Sequence, residues 1–335
     1  MSMVQASAKP YSSRHYKKIL NASDDEIRVI WGKAKQMCRE NRIERKITEN
    51  QHKDPHNTLF LSSDILNAAD FTFTPFVQRR GMGDSGNLLL AVNKYDSTQR
   101  YIVKHAFCDC AANEYIYSKI AQAIGLKMPD VKLFYLENPL DNTLFDTEYI
   151  VGIEYLNIVE KHPSAKTRET SRNPDDYYKF NTLYELFLES DRFETALADD
   201  GYIYRFDTTA AFLFNDNLIL AMSTSFNPLD ITQYAERVVP GQWSVSKLDA
   251  MMKRLIERNG EDKAEILLDP LYWLKLVPKS YIDRFLETLC YFYPDSVGDY
   301  YRRFFFEMQE SLERYTELTS ENSISNVKFF EGILY

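Results

Sequence analysis

The sequence predicts an α+β fold in two unequal parts, a small strand-rich half followed by a mostly helical one, with a separate helix ahead of both. Three observations predict it. Between about Asp70 and Leu156 the apolar residues come in short runs of strand length, such as FTFTPFVQ, NLLLAVN and RYIVKHA, separated by turn-forming residues. After Asp175 they recur instead at helical spacing over longer segments. Between the two lies the polar, proline-containing stretch KHPSAKTRETSRNPDD, which reads as a loop or a crossover. The 335 residues are enough for two domains or a bilobal one. They divide into an N-terminal extension over 1–69, a strand-rich lobe over 70–158 and a helical lobe over 159–335.

Taken in order, Ser23-Asp24-Asp25-Glu26 is a capping box, with Ser23 and Glu26 each placed to satisfy a free backbone N–H. Ile27, Ile30, Trp31, Ala34 and Met37 then follow at helical spacing, which predicts a helix over about 24–42. The polar run ENQHKDPHN reads as a linker. After the three strands, ANEYIYSKIAQAIG predicts a helix stopped by Gly125, with Pro129 beyond it. VKLFYL and TEYIVGIEYL predict two further strands. In the helical half, periodicity predicts helices over 175–189, 245–259, 279–292 and 296–317. Tyr300, Tyr301, Phe304, Phe305 and Met308 form an apolar stripe on the last of them, read as core packing. Asn215-Asp216-Asn217 reads as a hairpin turn between AFLF and LILAM.

Composition narrows the function classes. A net charge of −9 argues against nonspecific nucleic-acid binding over the whole surface. The locally basic stretch from Arg14 to Lys53 reads as a solvated helix face. Cys38, Cys108, Cys110 and Cys290 provide one close pair and no second to complete a zinc site, so free thiols in a reducing cytosol are expected. His52 and His56 lie in a proline-interrupted polar segment and read as surface residues. The sequence shows no apolar signal core and no apolar run long enough for a bilayer. A soluble, cytoplasmic protein is the expectation.

Three features point to phosphate chemistry. Gly81, Gly83 and Gly86 form a G-x-G-x-x-G run followed by the strand NLLLAVN. A strand-loop-strand setting favours a flap over nucleotide phosphates above a dinucleotide-binding turn, where a helix would follow; a plain hairpin remains an alternative. Lys104 ends the apolar run Y-I-V-K, where a cation is costly unless it meets an anion. Glu114 lies on the next helix as a candidate ion-pair partner.

The stretch K-H-A…A-N-E-Y-I-Y-S-K-I-A-Q-A-I-G-L-K-M-P resembles the N-lobe of HipA-like kinases. L-E-S-D-R-F-E-T-A-L followed by Y-I-Y-R-F-D-T-T-A-A-F resembles their catalytic loop and metal-binding strand. The resemblance covers about residues 76–230. It implies a bilobal protein-kinase-like fold with a small β-rich N-lobe and a mostly helical C-lobe. It also implies ATP and Mg²⁺ as cofactors. Lys104 would contact phosphate, Glu114 would orient it, and Glu154-Tyr155-Leu156 would form the hinge facing adenine. Asp191 would be the catalytic residue and Asp207 the metal ligand. A rival register makes Asp207 catalytic and Asp230 the metal ligand. The chain departs from the pattern at Phe193, where histidine is usual, and at Ala196, where a metal-binding asparagine belongs. Thr208 and Thr209 follow Asp207 where a glycine is expected. The implied activity is γ-phosphate transfer to a protein Ser or Thr, including the chain itself. The alternatives are a pseudokinase that senses nucleotide or binds a regulatory protein partner, and a small-molecule or lipid kinase.

Overall fold

The computed structural model describes residues 64–76, 88–104, 111–135, 150–213, 231–289 and 295–324. The expected helix over 24–42, the glycine run 81–86, the four cysteines and the Asn215–Asn217 turn lie outside these residues.

Six strands form the first sheet: β1 (Ile65–Asn67), β2 (Phe71–Pro75), β3 (Leu88–Asn93), β4 (Arg100–Lys104), β5 (Val131–Tyr135) and β6 (Ile150–Glu154). Their order is β1-β5-β6-β4-β3-β2. β1 runs parallel to β5, and the other pairs are antiparallel. Alternation along the strands gives the sheet two different faces. One carries a small aromatic cluster of Phe71, Leu89, Ala91, Tyr101, Val103 and Phe134, in which the Phe71 and Phe134 rings meet edge to face at 4.9 Å. Gly152 is required here by close approach, since a Cβ at that position would lie 2.3 Å from Phe134 Cε2. The opposite face presents Val131, Leu133, Val151 and Ile153 to helix α1 (Ala111–Ala123).

Residues 112–121 of α1 are all buried, as expected of a helix covered on every side. The sheet covers one side. The helical half covers the other, through Tyr115 against Phe285 and Tyr117 against Phe187. One hydrophobic core therefore runs from the sheet through α1 into the C-terminal helices. α1 ends as the sequence predicts: Gly125 takes φ +82, and Leu126 N donates back to Ala121 O at 3.0 Å.

Residues 155–157 carry the chain from β6 into a second, antiparallel sheet, β7 (Ile158–Lys161), β8 (Glu194–Ala198) and β9 (Ile203–Phe206), in that order. Between β7 and β8 lie α2 (Ala165–Glu169) and α3 (Asp176–Leu186). The segment read as a loop thus holds a short helix, because Ser164 caps it by accepting from Thr167 N at 3.2 Å. α3 stops at Leu186 rather than 189, since Leu188 is left-handed at φ +54. The remaining helices are α4 (Ile231–Val238), α5 (Val245–Asn259), α6 (Ala264–Leu276), α7 (Lys279–Leu289) and α8 (Asp295–Ile324). α6 is a helix the sequence reading passed over. Pro270 sits inside this helix and is buried. AFLF is not a strand over its described residues, where Phe212 and Leu213 adopt φ of +61 and +54. The aromatic stripe of α8 is core as expected, with Tyr300, Tyr301, Phe304, Phe305 and Met308 at 1% exposure or less.

Candidate active site

The β8–β9 hairpin builds the site. Its register pairs Glu194 with Phe206, so the residues just before β8 lie beside those just after β9. Asp191 and Asp207, sixteen positions apart in sequence, are thereby brought to the same end of one hairpin. The approach to Asp191 is laced to the segment after Asp207. Ser190 N donates to Ala210 O at 3.1 Å, and Phe212 N to Phe187 O at 2.6 Å.

That second segment is held from three helices. Asn113 of α1 donates through Nδ2 to Thr209 O at 2.6 Å and to Ala211 O at 2.9 Å. Tyr301 of α8 orients the amide by donating to its Oδ1 at 2.6 Å. Thr208 Oγ1 donates to Glu114 Oε2 at 2.9 Å. Tyr300 OH reaches Phe212 O at 2.6 Å, and Tyr234 OH of α4 reaches Leu213 O at 2.7 Å. Such anchoring sustains backbone that would otherwise relax. Leu188, Asp207, Phe212 and Leu213 all have positive φ, at +54, +58, +61 and +54. Non-glycine residues in this region are strained, and such strain clusters at functional sites.

Asp191 is half-buried. Its carbonyl accepts from Tyr184 OH at 2.6 Å, and its Oδ1 from Arg192 N at 2.7 Å. Phe193 packs edge to face on Tyr177 and Tyr184 at 5.5 and 5.7 Å, an aromatic niche that suits phenyl at the position where histidine was expected. Ala196 is buried in β8 opposite Tyr204, and its methyl group offers no ligand. Lys104 closes β4 opposite Leu88 and Val151. Glu154 ends β6 and Leu156 lies within the link between the two sheets, and Glu154 Oε2 accepts from Asp130 N at 3.0 Å. Gly81, Gly83 and Gly86 lie outside the described residues, in the connection between the paired strands β2 and β3. Asp230 of the rival register also lies outside them.

Beneath Asp191 and Asp207 is a group the sequence reading missed. Glu189 and Arg205 form an ion pair in which neither side chain is exposed at all. Burial pushes the Glu189 carboxyl up to about 8, and the nearby carboxylates of Glu114, Asp207 and Asp191 add to the push while Arg205 opposes it. For Arg205 burial acts downward, but Glu189 and its neighbours outweigh it and hold the guanidinium charge. Four carboxylates thus share one field around a single cation. The signal was present in Y-I-Y-R-F-D, where a lone charge interrupts an apolar strand just as Lys104 does in Y-I-V-K.

Among the described residues no three Asp, Glu, His or Cys side chains gather closely enough to hold a metal ion alone. Mg²⁺ ordinarily takes one or two carboxylates and completes its shell with phosphate and water oxygens. A half-buried carboxylate at Asp207 fits that share. Nor, among the described residues, is any helix long and apolar enough to cross a membrane.

No protein-family model matches the chain, and no curated protein matches it. Among solved structures, it is similar to the crystal structure of a Helicobacter pylori proinflammatory kinase, CtkA. The two are 14% identical with a TM-score of 0.45, and the match covers 74% of this chain and 97% of that one.

Proposed function

We propose that the chain is a kinase of HipA-like type that transfers the γ-phosphate of ATP to a protein Ser or Thr. The observation that carries this reading is the convergence of Asp191 and Asp207 at one end of the β8–β9 hairpin, with Glu114 of α1 tied to the residue after Asp207. Phosphoryl transfer asks little covalent chemistry of a protein and much positioning of charge, which a tightly laced pair of carboxylates supplies. Asp191 accepts or orients the proton of the attacking hydroxyl. Asp207 provides the carboxylate for the metal. Mg²⁺, when bound with ATP, neutralises charge on the phosphates. On this reading Lys104 at the end of β4 would grip phosphate, the run of Gly81, Gly83 and Gly86 would cover it, and Glu154 to Leu156 would face the adenine.

The test is transfer of labelled γ-phosphate from ATP with Mg²⁺ or Mn²⁺, beside nucleotide-dependent thermal stabilisation. Asp191→Asn is expected to cut kcat by roughly 10²- to 10⁴-fold while leaving stabilisation by nucleotide intact. Asp207→Ala is expected to remove the metal-dependent part of that stabilisation. A wild-type chain that neither binds nucleotide nor transfers phosphate refutes the reading. Ala196, buried and apolar where a second metal ligand was expected, favours one alternative, a nucleotide-sensing or protein-binding pseudokinase. Metal-independent nucleotide binding with no transfer selects it.

A further inference from the structure

We propose that Arg205 is a positioning residue of this site, a buried brace that sets the backbone next to Asp191 and Asp207. The inference rests on the phosphoryl-transfer reading and goes beyond it by assigning a part to a residue that touches neither nucleotide nor acceptor.

The geometry is specific. Arg205 lies in β9, opposite Thr195, and its side chain turns inward until nothing of it is exposed. Nη1 donates to Glu194 O at 2.8 Å and to Phe206 O. Nη2 donates to Glu189 Oε1 and reaches Arg192 O at 3.4 Å. The guanidinium carbon stands 5.1 Å from the centre of the Phe193 ring. One side chain thus contacts 192, 193 and 194, which follow Asp191, and 206, which precedes Asp207. Glu189, two positions before Asp191, holds the fork from behind. A guanidinium suits this task because its donors are fixed in one plane, whereas an ammonium offers a point charge on a flexible stem. Phe193 cannot hydrogen-bond, so any polar tie across the loop has to come from elsewhere, and Arg205 supplies it.

A buried pair can also be merely structural, and the test separates the two. The double variant Glu189→Met/Arg205→Met replaces both charges by apolar groups of similar length, a change that buried pairs commonly tolerate without loss of stability. Full-length wild type, this double variant and Arg205→Lys are compared by thermal unfolding, by kcat and KM for ATP in phosphate transfer, and by amide hydrogen exchange without nucleotide. The expected result is a double variant that melts within a few degrees of wild type yet loses roughly 10- to 100-fold in kcat, the scale of a small misplacement of reacting groups. KM for ATP should stay within about 3-fold, which is ~0.65 kcal/mol at 25 °C. Exchange should rise over 190–196 and 205–209 but not in α5. Arg205→Lys, which keeps the charge but not the fork, should fall between. A double variant with wild-type kcat and wild-type exchange overturns the brace and leaves a folding pair. Should that variant fail to fold, Arg205→Lys decides, and wild-type kcat in it overturns the proposal. A wild-type chain with neither transfer nor nucleotide binding is a different failure. It removes the kinase reading, and the brace with it, whatever the variants do.

Discussion

Two carboxylates near α1 are both buried among charges, and their pKa values move in opposite directions. Asp64 sits where β1, α1 and β5 meet. Its Oδ1 accepts from Lys119 at 2.9 Å and Lys132 at 2.8 Å, and its Oδ2 from Tyr115 OH at 3.1 Å. Asp130 completes the knot at 2.9 Å from each lysine and remains about one-third exposed. Burial acts to raise the Asp64 carboxyl, yet the two ammonium groups outweigh it and the net shift is downward. Glu189 has one cation, no exposure and three other carboxylates nearby, and its shift is upward. The knot balances two charges of each sign. The pair at the site does not, and among the described residues Glu189 Oε2 and Arg205 Nε have no hydrogen-bond partner. Buried polar atoms left unsatisfied are rare enough to need a reason. The knot reads as stability. The pair reads as strain held in place for the site.

The comparison breaks most visibly when one charge of the dry pair is removed. Above about pH 8, where the raised Glu189 carboxyl is ionised, Glu189→Leu leaves Arg205 buried without its counter-ion and should cost about 3–5 kcal/mol, read as a shift in the urea midpoint. The Glu189→Met/Arg205→Met variant should recover most of it. A single-variant loss below about 1 kcal/mol, with no gain from the second substitution, would mean that the pair is not dry.

Asp64→Asn should cost less, about 1–3 kcal/mol, because Asp130 still faces both lysines. The two groups also differ in the sign of their pH dependence. Asp64 is lowered from 3.8, so its contribution is present above that value and is lost as pH falls through the folded pKa. The gap between wild type and Asp64→Asn should therefore close in acid. Glu189 is raised from 4.5 to about 8. Its folded carboxyl keeps a proton that the unfolded chain releases, so its contribution is present below 4.5 and is lost as pH rises towards 8. The stability of the Glu189→Met/Arg205→Met variant relative to wild type should accordingly rise over that interval. Urea midpoints measured across the pH range check both signs together, and a wild-type profile shared by all variants would refute both.

Elements with strong local signals were legible in the sequence. β2, β3 and β4 announce themselves by short apolar runs, α1 by its length and its Gly125 stop, and α8 by the aromatic stripe. What escaped depends on tertiary context. α6 carries Asp269-Pro270, a local breaker that a buried helix overrides. Phe212 and Leu213 look like strand residues, but tyrosines from α4 and α8 hold their carbonyls in a left-handed turn. At the site, Asp191 and Asp207 stood out by resemblance to a family pattern, and Glu114 as a carboxylate on the helix that follows Lys104. Asn113 and Tyr301 meet across 188 positions, a contact no local pattern encodes. Arg205 was legible by the logic applied to Lys104, namely that one charge in an apolar strand must have a buried partner.

The smallest expected effect marks the far end of the same scale. Arg302 of α8 donates through Nε to Asp283 of α7 at 2.8 Å, and both side chains are more than one-third exposed. Water screens these charges on one side and the long side chains lose freedom in pairing, so Asp283→Ala should cost less than about 1 kcal/mol. That cost should shrink further as salt shortens the screening length below about 10 Å. Glu189→Leu should respond little to salt, since ions cannot enter a pair with no exposed surface. Urea titrations of both variants at low and high salt set the two against each other. Equal salt sensitivity would place solvent at the Glu189–Arg205 pair and remove the reason for its upward shift, whereas a salt response confined to Asp283→Ala ties that shift to dryness.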